Sequence, residues 1–516
     1  MPTTLHRILR LASIVTVLSF AYPAHAAPEG LDNETCLACH GNEGFEAEGP
    51  DGKPRSLFVD RKKFEASVHA PRDCVNCHTY IKAIPHEFPK GSTRQTRQLE
   101  IIRTGCGNCH KQNFASYKDT YHGQVTSLGY THTAKCFDCH GKHDILRVKN
   151  PDARVHPNHR VETCRQCHKD ASPGFLTFQP HANPHNFERY PQVWIASRFM
   201  IGLLVGTFAF FWMHSALWFY AESRDRRKGV AVKHISEDAL PPQARGKHFR
   251  RYHWGWRLAH LLFALATMTL VLTGMTLLYA ESPWAPVVSH FFGGPKVTGI
   301  IHRITATTWL SIFVIHVAYM AWKLVLRRGA GFKWFGPHSL LPRWQDFHDV
   351  AAMFRWFLGK GPRPVFDRYT YWEKFDYWAP FWGAMIIGSS GLMLWHPEIV
   401  ARFLPGWVFN VATIFHGEEA FLAAVFLFTV HFFNNHFRPD KFPLDILMFT
   451  GSMPVAEFAK DHGVEYQRLV ETGELDKYLV DAPSQPMTTG SKILGFALIA
   501  IGLSLLTLVL VGFFTD

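Results

Sequence analysis

The chain has 516 residues, a hydrophobic fraction of 47% and a formal net charge of +12. This length allows several domains, and positive charge of this size is often associated with nucleic acid. Here the basic residues lie mainly in short connections between apolar runs, a pattern typical of membrane topology and not of a nucleic-acid-binding surface. We therefore predict a protein of the lipid bilayer that does not bind nucleic acid.

The first residues, Met1–Ala26, have the features of a secretory signal peptide. Arg7 and Arg10 precede an apolar run over residues 11–22, and an Ala-His-Ala tripeptide at 24–26 offers a cleavage site. An uncleaved anchor is the alternative, and in either case the segment that follows is exported. The sequence thus predicts a multi-pass protein of the bacterial inner membrane whose N-terminal domain lies in the periplasm.

All ten cysteines belong to five copies of one pattern, Cys-x-x-Cys-His. The copies are Cys36–Cys39–His40, Cys74–Cys77–His78, Cys106–Cys109–His110, Cys136–Cys139–His140 and Cys164–Cys167–His168. This is the attachment motif of c-type haem, because the two thiols can form thioethers to the vinyl groups and the histidine then reaches the iron. One copy alone could be a zinc or redox pair. Five copies predict five haems and leave no thiol for disulfides, iron–sulfur clusters or a nucleophile.

The iron ligands on the opposite, distal side must come from other residues of this segment. No methionine occurs between Met1 and Met200, so we expect histidine on both sides of each iron, which favours electron transfer at low potential. Five local sequences resemble those of cytochrome c3 and of tetrahaem quinol dehydrogenases, and we expect their histidines to be the distal ligands: His69, His86, His122, His143 and His181. The alternatives are His132, His156, His159 and His185.

Residues 27–190 have weak hydrophobic periodicity and are rich in glycine, proline, histidine and charged residues. Without haem, such a segment could not bury enough apolar surface to fold. We therefore predict a periplasmic pentahaem domain of short helices and loops packed around its porphyrins. No Cys-x-x-Cys-Lys variant is present, which argues against a haem that reduces a substrate.

The composition changes abruptly after Tyr190. Six apolar runs are long enough to span a bilayer as helices, namely Val193–Tyr220, Leu258–Tyr279, Val297–Leu326, Tyr377–Trp395, Trp407–Asn434 and Ile493–Phe514. Basic residues are concentrated after the first and third runs, so the positive-inside rule places these connections in the cytoplasm. The predicted fold is all-α, with a six-helix bundle formed by 191–445 and 491–516. Residues 446–490 are predicted to be a polar cytoplasmic segment, helical, with Glu457 in solvent.

Histidines inside the apolar runs recur at helical intervals. His302 and His316 are 14 residues apart, and His416 and His431 are 15 apart. Both intervals are close to four α-helical turns, so each pair lies on one face, about 21–22 Å apart along the axis. A histidine in lipid is costly without a partner. The spacing therefore predicts two stacked b-type haems, one held by His302 and His416 and the other held in part by His431.

A fifth candidate, His260, comes with a resemblance to a known family. The motifs that carry it are Arg257-Leu-Ala-His260, Leu272-Thr-Gly274, Gly293-Gly294, Ile301-His302-Arg303, His416-Gly-Glu-Glu-Ala420 and His431. Together they resemble the b-type cytochrome subunits of formate dehydrogenase and of nickel–iron hydrogenase, over about Arg251–Asp445. The resemblance implies that His260 pairs with His431. His316 stands at the spacing seen in the cytochrome b of quinol:cytochrome c reductases, so both partners for His431 stay open, and His214 is expected to be structural.

A chain in which a multihaem c-type domain is fused to a b-type cytochrome domain resembles the inner-membrane b/c-type quinol dehydrogenases of anaerobic respiration and metal reduction. It implies an oxidoreductase that moves electrons between the quinone pool and a periplasmic cytochrome or reductase, with quinol oxidation as the expected direction. Glu418 and Glu419, one turn after His416, are candidate acceptors for the quinol protons. The alternatives are a periplasmic enzyme for a small nitrogen or sulfur compound, and a relay subunit of a larger respiratory complex.

Overall fold

The computed structural model describes residues 31–48, 53–86, 88, 90–230, 235–327 and 333–515. The predicted signal peptide, Met1–Ala26, lies outside the described residues. The protein is mostly helical, with 64% helix and 3% strand. The predicted all-α class is therefore confirmed at this level.

The chain forms two compact units that are not simple halves of the sequence. The first unit combines Met1–Lys111 with Cys136–Arg154, and the second combines Gln112–Lys135 with Val155–Asp516. Composition changes at Tyr190, but two stretches that precede it belong to the unit that contains the long apolar helices. Part of the predicted haem domain is therefore built into the same unit as the bundle.

The first unit consists of short helices and one hairpin. Its helices are Asn33–His40, Arg61–Glu65, Cys74–Cys77, Arg94–Glu100, Gly107–Cys109 and Cys136–His140, with a π-helical turn at Ile101–Cys106. Strands β1 (Glu46–Glu48) and β2 (Pro54–Ser56) pair antiparallel. Asp32 caps the first helix by accepting from the Thr35 N–H, which satisfies an amide that has no partner inside the helix.

Two Cys-x-x-Cys-His motifs of the first unit each form a single helical turn. The backbone N–H of His78 donates to the Cys74 carbonyl at 2.9 Å, and that of His110 donates to the Cys106 carbonyl at 2.9 Å. This i to i−4 bond gathers both thiols and the imidazole of a motif on one turn of backbone. The local fold therefore presents the three groups that attachment needs.

The second unit contains five helices that are long and apolar enough to cross a membrane. We label them α1 (Pro191–Arg227), α2 (Trp254–Leu278), α3 (Pro295–Leu326), α4 (Trp407–Phe437) and α5 (Gln485–Thr515). α1 begins with proline, which is tolerated there because the first helical N–H has no partner in the helix. Shorter helices of this unit are Lys111–Lys118, Tyr121–Ser127, Arg160–Arg165, Ala285–Phe291, Trp344–Phe357 and Pro397–Val400.

The sixth predicted span, Tyr377–Trp395, does not qualify by length and apolar composition among the described residues. It is helical, but it is composed of Tyr371–Gly383, a π-helical part at Ala384–Gly388 and Ser389–Trp395. Its tryptophan, tyrosine, glycine and serine residues lower its mean hydropathy below that of the other five. We call this stretch the 371–395 segment.

The apolar core of the bundle lies between α1, α2, α4 and α5, with Phe208, Met275, Phe428 and Val509 among its buried residues. Small residues recur along the buried side of α5. A Cβ atom on Gly502 would lie 2.6 Å from the Phe432 ring, so only glycine allows this approach of α5 to α4.

A small α/β module forms from two distant stretches, 235–250 and 446–480. Strand β3 (His248–Arg250) pairs antiparallel with β4 (Ser452–Pro454) and with β5 (Leu479–Val480), and helices Val455–Asp461 and Gly463–Glu471 complete the module. The prediction of a polar helical segment at 446–490 missed the strands β4 and β5. Its apolar residues pack on a stretch about 200 residues away in the chain.

The expectation that Glu457 faces solvent was also wrong. Its carboxylate pairs with Lys441, whose ammonium also binds Asp461 at 2.9 Å. The Lys441 ammonium, which is almost fully enclosed, is shared by these two carboxylates and by Asp445 at 3.2 Å. Lys441 lies on the short link between α4 and the module, so these ion pairs tie the two together.

Phe249 and Phe458 form the centre of the module, stacked with ring centroids 3.6 Å apart and both with 0% exposure. We expect Phe249→Ala to lower the free energy of local unfolding of β3 and β4 by about 3–5 kcal/mol, because it removes a buried aromatic ring and leaves a cavity. Hydrogen–deuterium exchange of these strands measures this. Phe442→Ala, which removes the same ring at 68% exposure, is the matched control. Equal exchange in both variants would contradict the assignment.

Candidate haem centres

Three histidine pairs in the first unit have the same spacing. Each joins one motif histidine to one predicted distal histidine, with ring centroids 6.0–6.1 Å apart: His40 with His86, His110 with His69, and His78 with His143. A metal–imidazole nitrogen bond is about 2 Å long, so two imidazoles on opposite sides of one iron have centroids roughly 6 Å apart. These pairs therefore fit an iron between them.

A fourth pair lies in the second unit. His122 and His168 have ring centroids 6.1 Å apart. His168 belongs to the fifth motif, and His122 follows the first residue of the helix Tyr121–Ser127, which Thr120 caps by accepting from the Gly123 N–H. Four of the five predicted distal histidines are thus brought to a motif histidine.

The role of His181, the fifth predicted distal histidine, stays a prediction. His140 lies in the first unit and His181 in the second. Within the second unit, the Nδ1 atom of His181 lies 3.1 Å from Ser116 Oγ, which itself donates to the Asn113 carbonyl. Ser116 Oγ can therefore accept from Nδ1–H and leave Nε2 as the ligand atom of His181.

Hydrogen bonds at Nδ1 orient several of these rings. His40 donates from Nδ1 to the Leu57 carbonyl at 2.9 Å, and His86 to the Ala83 carbonyl at 3.2 Å. A carbonyl oxygen only accepts, so Nδ1 carries the proton and Nε2 keeps the lone pair that coordinates a metal. In the same way His168 Nδ1 lies 3.0 Å from a Glu398 carboxylate oxygen.

Successive attachment motifs are neighbours in the first unit. Burial, reinforced by the neighbouring Cys36 thiol, raises the pKa of Cys74 to about 12. Burial next to Cys106 and Cys109 raises the pKa of Cys77, and a hydrogen bond with Cys136 raises that of Cys106. The thiols therefore follow one another in the order of the chain, which places the first four attachment sites in a row.

The alternative distal histidines have other neighbours. His156 Nδ1 accepts from the Asn158 N–H at 3.3 Å, and His185 Nδ1 lies 3.3 Å from Arg198 Nη2. His159 lies 3.7 Å from Glu162, and His132 packs on Tyr130. The structure does not bring any of these four described histidines to a motif histidine within its own unit.

In the bundle, His302 of α3 and His416 of α4 have ring centroids 6.3 Å apart. This matches the spacing of the c-type pairs. His416 donates from Nδ1 to the Ile387 carbonyl at 3.0 Å, so its Nε2 is free for a metal. The structure therefore brings together the two residues predicted to hold the first b-type haem.

A hydroxyl residue followed by glycine supports each of these two rings. Thr273 Oγ1 lies 2.9 Å from His302 Nδ1, and a Cβ atom on Gly274 would lie 3.2 Å from the same ring. On the other side, Ser390 Oγ lies 3.2 Å from His416 Nδ1, and a Cβ atom on Gly391 would lie 3.0 Å from that ring. Thr273 Oγ1 can accept from the His302 ring, and Ser390 Oγ lies beside the Nδ1–H that the Ile387 carbonyl accepts. Each glycine makes room for the neighbouring ring.

A second histidine group lies further along the same bundle. His260 is close enough to His431 and His436 to interact with both electrostatically. His431 Nδ1 lies 3.2 Å from Asp376 Oδ2, an arrangement in which a carboxylate orients a ligating histidine. His431 is the last residue of the π-helical turn Leu427–His431, and His436 lies in the next π-helical turn, Phe433–Phe437.

His436 and Asp376 were not predicted from the sequence. His436 follows His431 by five residues, an interval that shares a face only where the helix has π-helical turns. Asp376 is a charged residue in an aromatic helical run, and a charge in such a run indicates a functional residue. This feature of the sequence could have identified Asp376 as a candidate.

His214 lines the bundle cavity and His316 does not, and both rings are bonded to tyrosines. His316 Nε2 lies 3.0 Å from the Tyr377 hydroxyl, and its ring packs on Trp256. His214 Nε2 is hydrogen-bonded to the Tyr371 hydroxyl. In both rings the nitrogen that would coordinate iron is already engaged by a tyrosine.

One cavity of about 2030 Å³ connects the two histidine groups of the bundle. Its walls include His260, His302, His416 and His431, and most of its other lining residues are apolar. A pocket for one small ligand is typically about 300–1,000 Å³. The volume, the apolar walls and the paired imidazoles therefore fit two large planar cofactors such as haem.

The two predicted proton acceptors differ in their placement. Glu419 is 2% exposed, lines the cavity, and its Oε2 has no hydrogen-bond partner among the described residues. Glu418 is exposed on the surface of α4. Only Glu419 is therefore directed to the space where a ligand of the bundle would bind.

Comparisons of the chain with protein-family models, with curated proteins and with solved structures found no match. The assignment of these centres therefore depends on the residues and their geometry.

We expect Gly391→Ala and Gly274→Ala to displace the rings of His416 and His302, because each new methyl group would lie within about 3 Å of an imidazole carbon. The non-covalent haem content should fall by about half, since one of two positions is damaged. Pyridine haemochrome analysis measures this. Gly388→Ala is the matched control, because a Cβ atom there meets nothing within 4 Å. A full haem complement with an unchanged spectrum in both variants would contradict the arrangement.

Proposed function

We propose that the protein is an inner-membrane electron-transfer oxidoreductase that carries electrons between the quinone pool and a periplasmic acceptor. The observation that carries the proposal is the recurrence of one imidazole spacing, 6.0–6.3 Å, in the c-type motifs and in the apolar bundle. Haem supplies reversible one-electron chemistry when it is bound in such pairs. Histidine on both sides of iron leaves no open position for a substrate, which favours electron transfer over catalysis at these centres.

The five apolar helices support a membrane location, and we propose that the 371–395 segment is a sixth crossing. Asp376 of this segment contacts His431, and Ser390 contacts His416. The segment therefore runs antiparallel to α4 over the 15 residues between the two histidines, about 22 Å along the axis. Most of the hydrocarbon core, about 30 Å thick, is covered by this distance.

With six crossings, the topology follows from charge. Arg224, Arg226 and Arg227 end α1, so the positive-inside rule places this end and the α/β module in the cytoplasm. The histidine motifs then lie in the periplasm. The His302–His416 pair lies toward the periplasmic side and His431 toward the cytoplasmic side.

For the cytoplasmic-side centre we propose His260 and His431 as the ligands. Both line the cavity, and Asp376 holds the Nδ1 side of His431, which leaves Nε2 for iron. His316 does not line the cavity and is bonded to Tyr377. This choice agrees with the family resemblance of the Arg257–His260 motif.

For quinol oxidation we propose Glu419 as the first proton acceptor. Quinol that gives up two electrons also releases two protons, and a buried carboxylate on the cavity wall can take one of them. The free Oε2 atom of Glu419 and its position one turn after His416 support this role. Trp382, which also lines the cavity, lies close enough to Glu419 to interact with its carboxylate.

Haem content and quinol reduction test the proposed function. We expect the purified protein to contain covalent and non-covalent haem in a ratio of five to two, and a menaquinol or ubiquinol analogue to reduce both kinds. His260→Ala should remove one non-covalent haem, whereas His316→Ala should retain both, because only His260 lines the cavity. Pyridine haemochrome analysis and redox titration measure these quantities. Absence of non-covalent haem, or failure of any quinol to reduce the covalent haem, would refute the proposal.

Glu419→Gln is expected to slow quinol-dependent reduction of the covalent haems by about 100-fold, since a positioned proton acceptor contributes about 10²–10⁴-fold. Glu418→Gln is the matched control, because it makes the same change one residue away on the exposed side of α4. Stopped-flow absorbance measures the rates, and unchanged spectra show that both variants retain haem. Equal rates in the two variants would remove Glu419 from the mechanism.

A further inference from the structure

The fifth attachment motif is tied to the bundle by a set of polar contacts within the second unit. Ser172 Oγ donates to the Ala401 carbonyl at 2.7 Å, and the Gly406 N–H donates to the Gly174 carbonyl at 2.9 Å. These bonds join the stretch just after His168 to the loop that connects the 371–395 segment to α4.

The same two stretches interlock closely. A Cβ atom on Gly174 would lie 2.3 Å from the Ala401 carbonyl oxygen. Gln179 and Asn410 exchange two hydrogen bonds, in which the Gln179 N–H donates to Asn410 Oδ1 at 3.1 Å and Asn410 Nδ2 donates to the Gln179 carbonyl at 2.8 Å. These contacts hold the backbone of residues 172–179 in a fixed position against the start of α4.

The distal histidine of this centre is tied to the bundle as well. His122 lies on the helix Tyr121–Ser127, and Tyr121 and Val125 of this helix contribute to the wall of the bundle cavity. Lys118, just before this helix, pairs with Glu281 at the end of α2 at 3.3 Å. Both axial ligands of the centre are therefore anchored to the apolar helices.

An aromatic contact leads from this centre toward the first b-type pair. The Phe175 ring lies 5.2 Å from the His168 ring and 6.0 Å from the Phe409 ring, measured between centroids. Phe409 precedes His416 on α4 by seven residues, about 10 Å along the axis. The pair His122–His168 is thus separated from the bundle pair by about two helical turns and one layer of aromatic side chains.

We propose that the His122–His168 centre, attached through Cys164 and Cys167, is the c-type position that first accepts electrons from the bundle. The proposal rests on the proposed function and adds the order of transfer to it. With haem bound at both positions, the His302–His416 pair would hold the donor of one electron and the His122–His168 pair its acceptor, without transfer of a proton. The centre at the last motif in the sequence is therefore the first c-type centre to receive an electron, and the centres at the four earlier motifs receive it later.

Glu398 is assigned a positioning role at this centre. Its carboxylate oxygen lies 3.0 Å from His168 Nδ1. By contrast, the Nδ1 atom of His40 donates to a backbone carbonyl, and that of His78 lies 3.1 Å from the Tyr80 hydroxyl. A charged acceptor increases the basicity of the imidazole and stabilises ferric over ferrous iron. This lowers the reduction potential of the first acceptor and favours onward transfer to the next centre.

His122→Met and His86→Met test the order of transfer. Each replaces one distal ligand with methionine, which raises the reduction potential of that haem and gives it a distinct absorption band. In rapid mixing with menaquinol, we expect the methionine band to change in the first c-type phase for His122→Met and only in a later phase for His86→Met. If methionine does not bind, the high-spin ferric signal marks the same haem and is timed instead.

The opposite order, or the same order in both variants, would overturn the proposal while quinol still reduced the b-type haems. Failure of quinol to reduce the b-type haems in the unaltered protein would instead refute the proposed function. As a second measurement, Glu398→Gln should shift one of the five c-type haems to higher potential in a redox titration. Glu281→Gln, which alters a carboxylate paired with Lys118, should leave all five unshifted. An unshifted titration in Glu398→Gln would overturn the positioning role.

Discussion

The distance between paired imidazole rings is the constraint on which the rest of this structure depends. Iron coordinated from both sides requires ring centroids about 6 Å apart, and the tolerance is a few tenths of an ångström. In the first unit, where apolar side chains are few, short capped helices and loops meet this distance. In the bundle, whole helices must meet it, because His302 and His416 are carried on different apolar helices. One coordination geometry therefore sets the positions of two very different kinds of backbone.

The bundle meets this constraint with small residues and local changes in helix geometry. Thr273 and Ser390 donate to carbonyls of their own helices while each oxygen stays beside an imidazole nitrogen, so both hydroxyls have partners within the bundle. The glycines that follow them remove the side chain that would collide with the ring. The π-helical part of the 371–395 segment lies where the Ile387 carbonyl accepts from His416. Such a turn can release a carbonyl from the helix ladder for this bond.

The sequence predicted haem attachment at the five Cys-x-x-Cys-His motifs because their spacing is local, each motif fitting within five residues, and this stays a prediction. It also predicted a mostly helical fold and five of the apolar helices, since composition and length determine both. It did not predict the π-helical turns, and so it missed His436. The pairing of β3 with β4 was missed because the two strands are far apart in the chain and each is only three residues long. Neither strand shows an alternating pattern that could be recognised without its partner.

The α/β module also bears on how the protein is made. His248 pairs with Pro454, and α2, α3, the 371–395 segment and α4 all lie between these residues. At ~5–20 residues per second, a ribosome needs roughly 10–40 s to synthesise this stretch. The strands can join only after His260, His302, His416 and His431 have all been translated. Closure of the module is therefore a late step of biogenesis. A chain truncated before Pro454 would lack the strand pairing that joins the two ends of the stretch containing these four histidines.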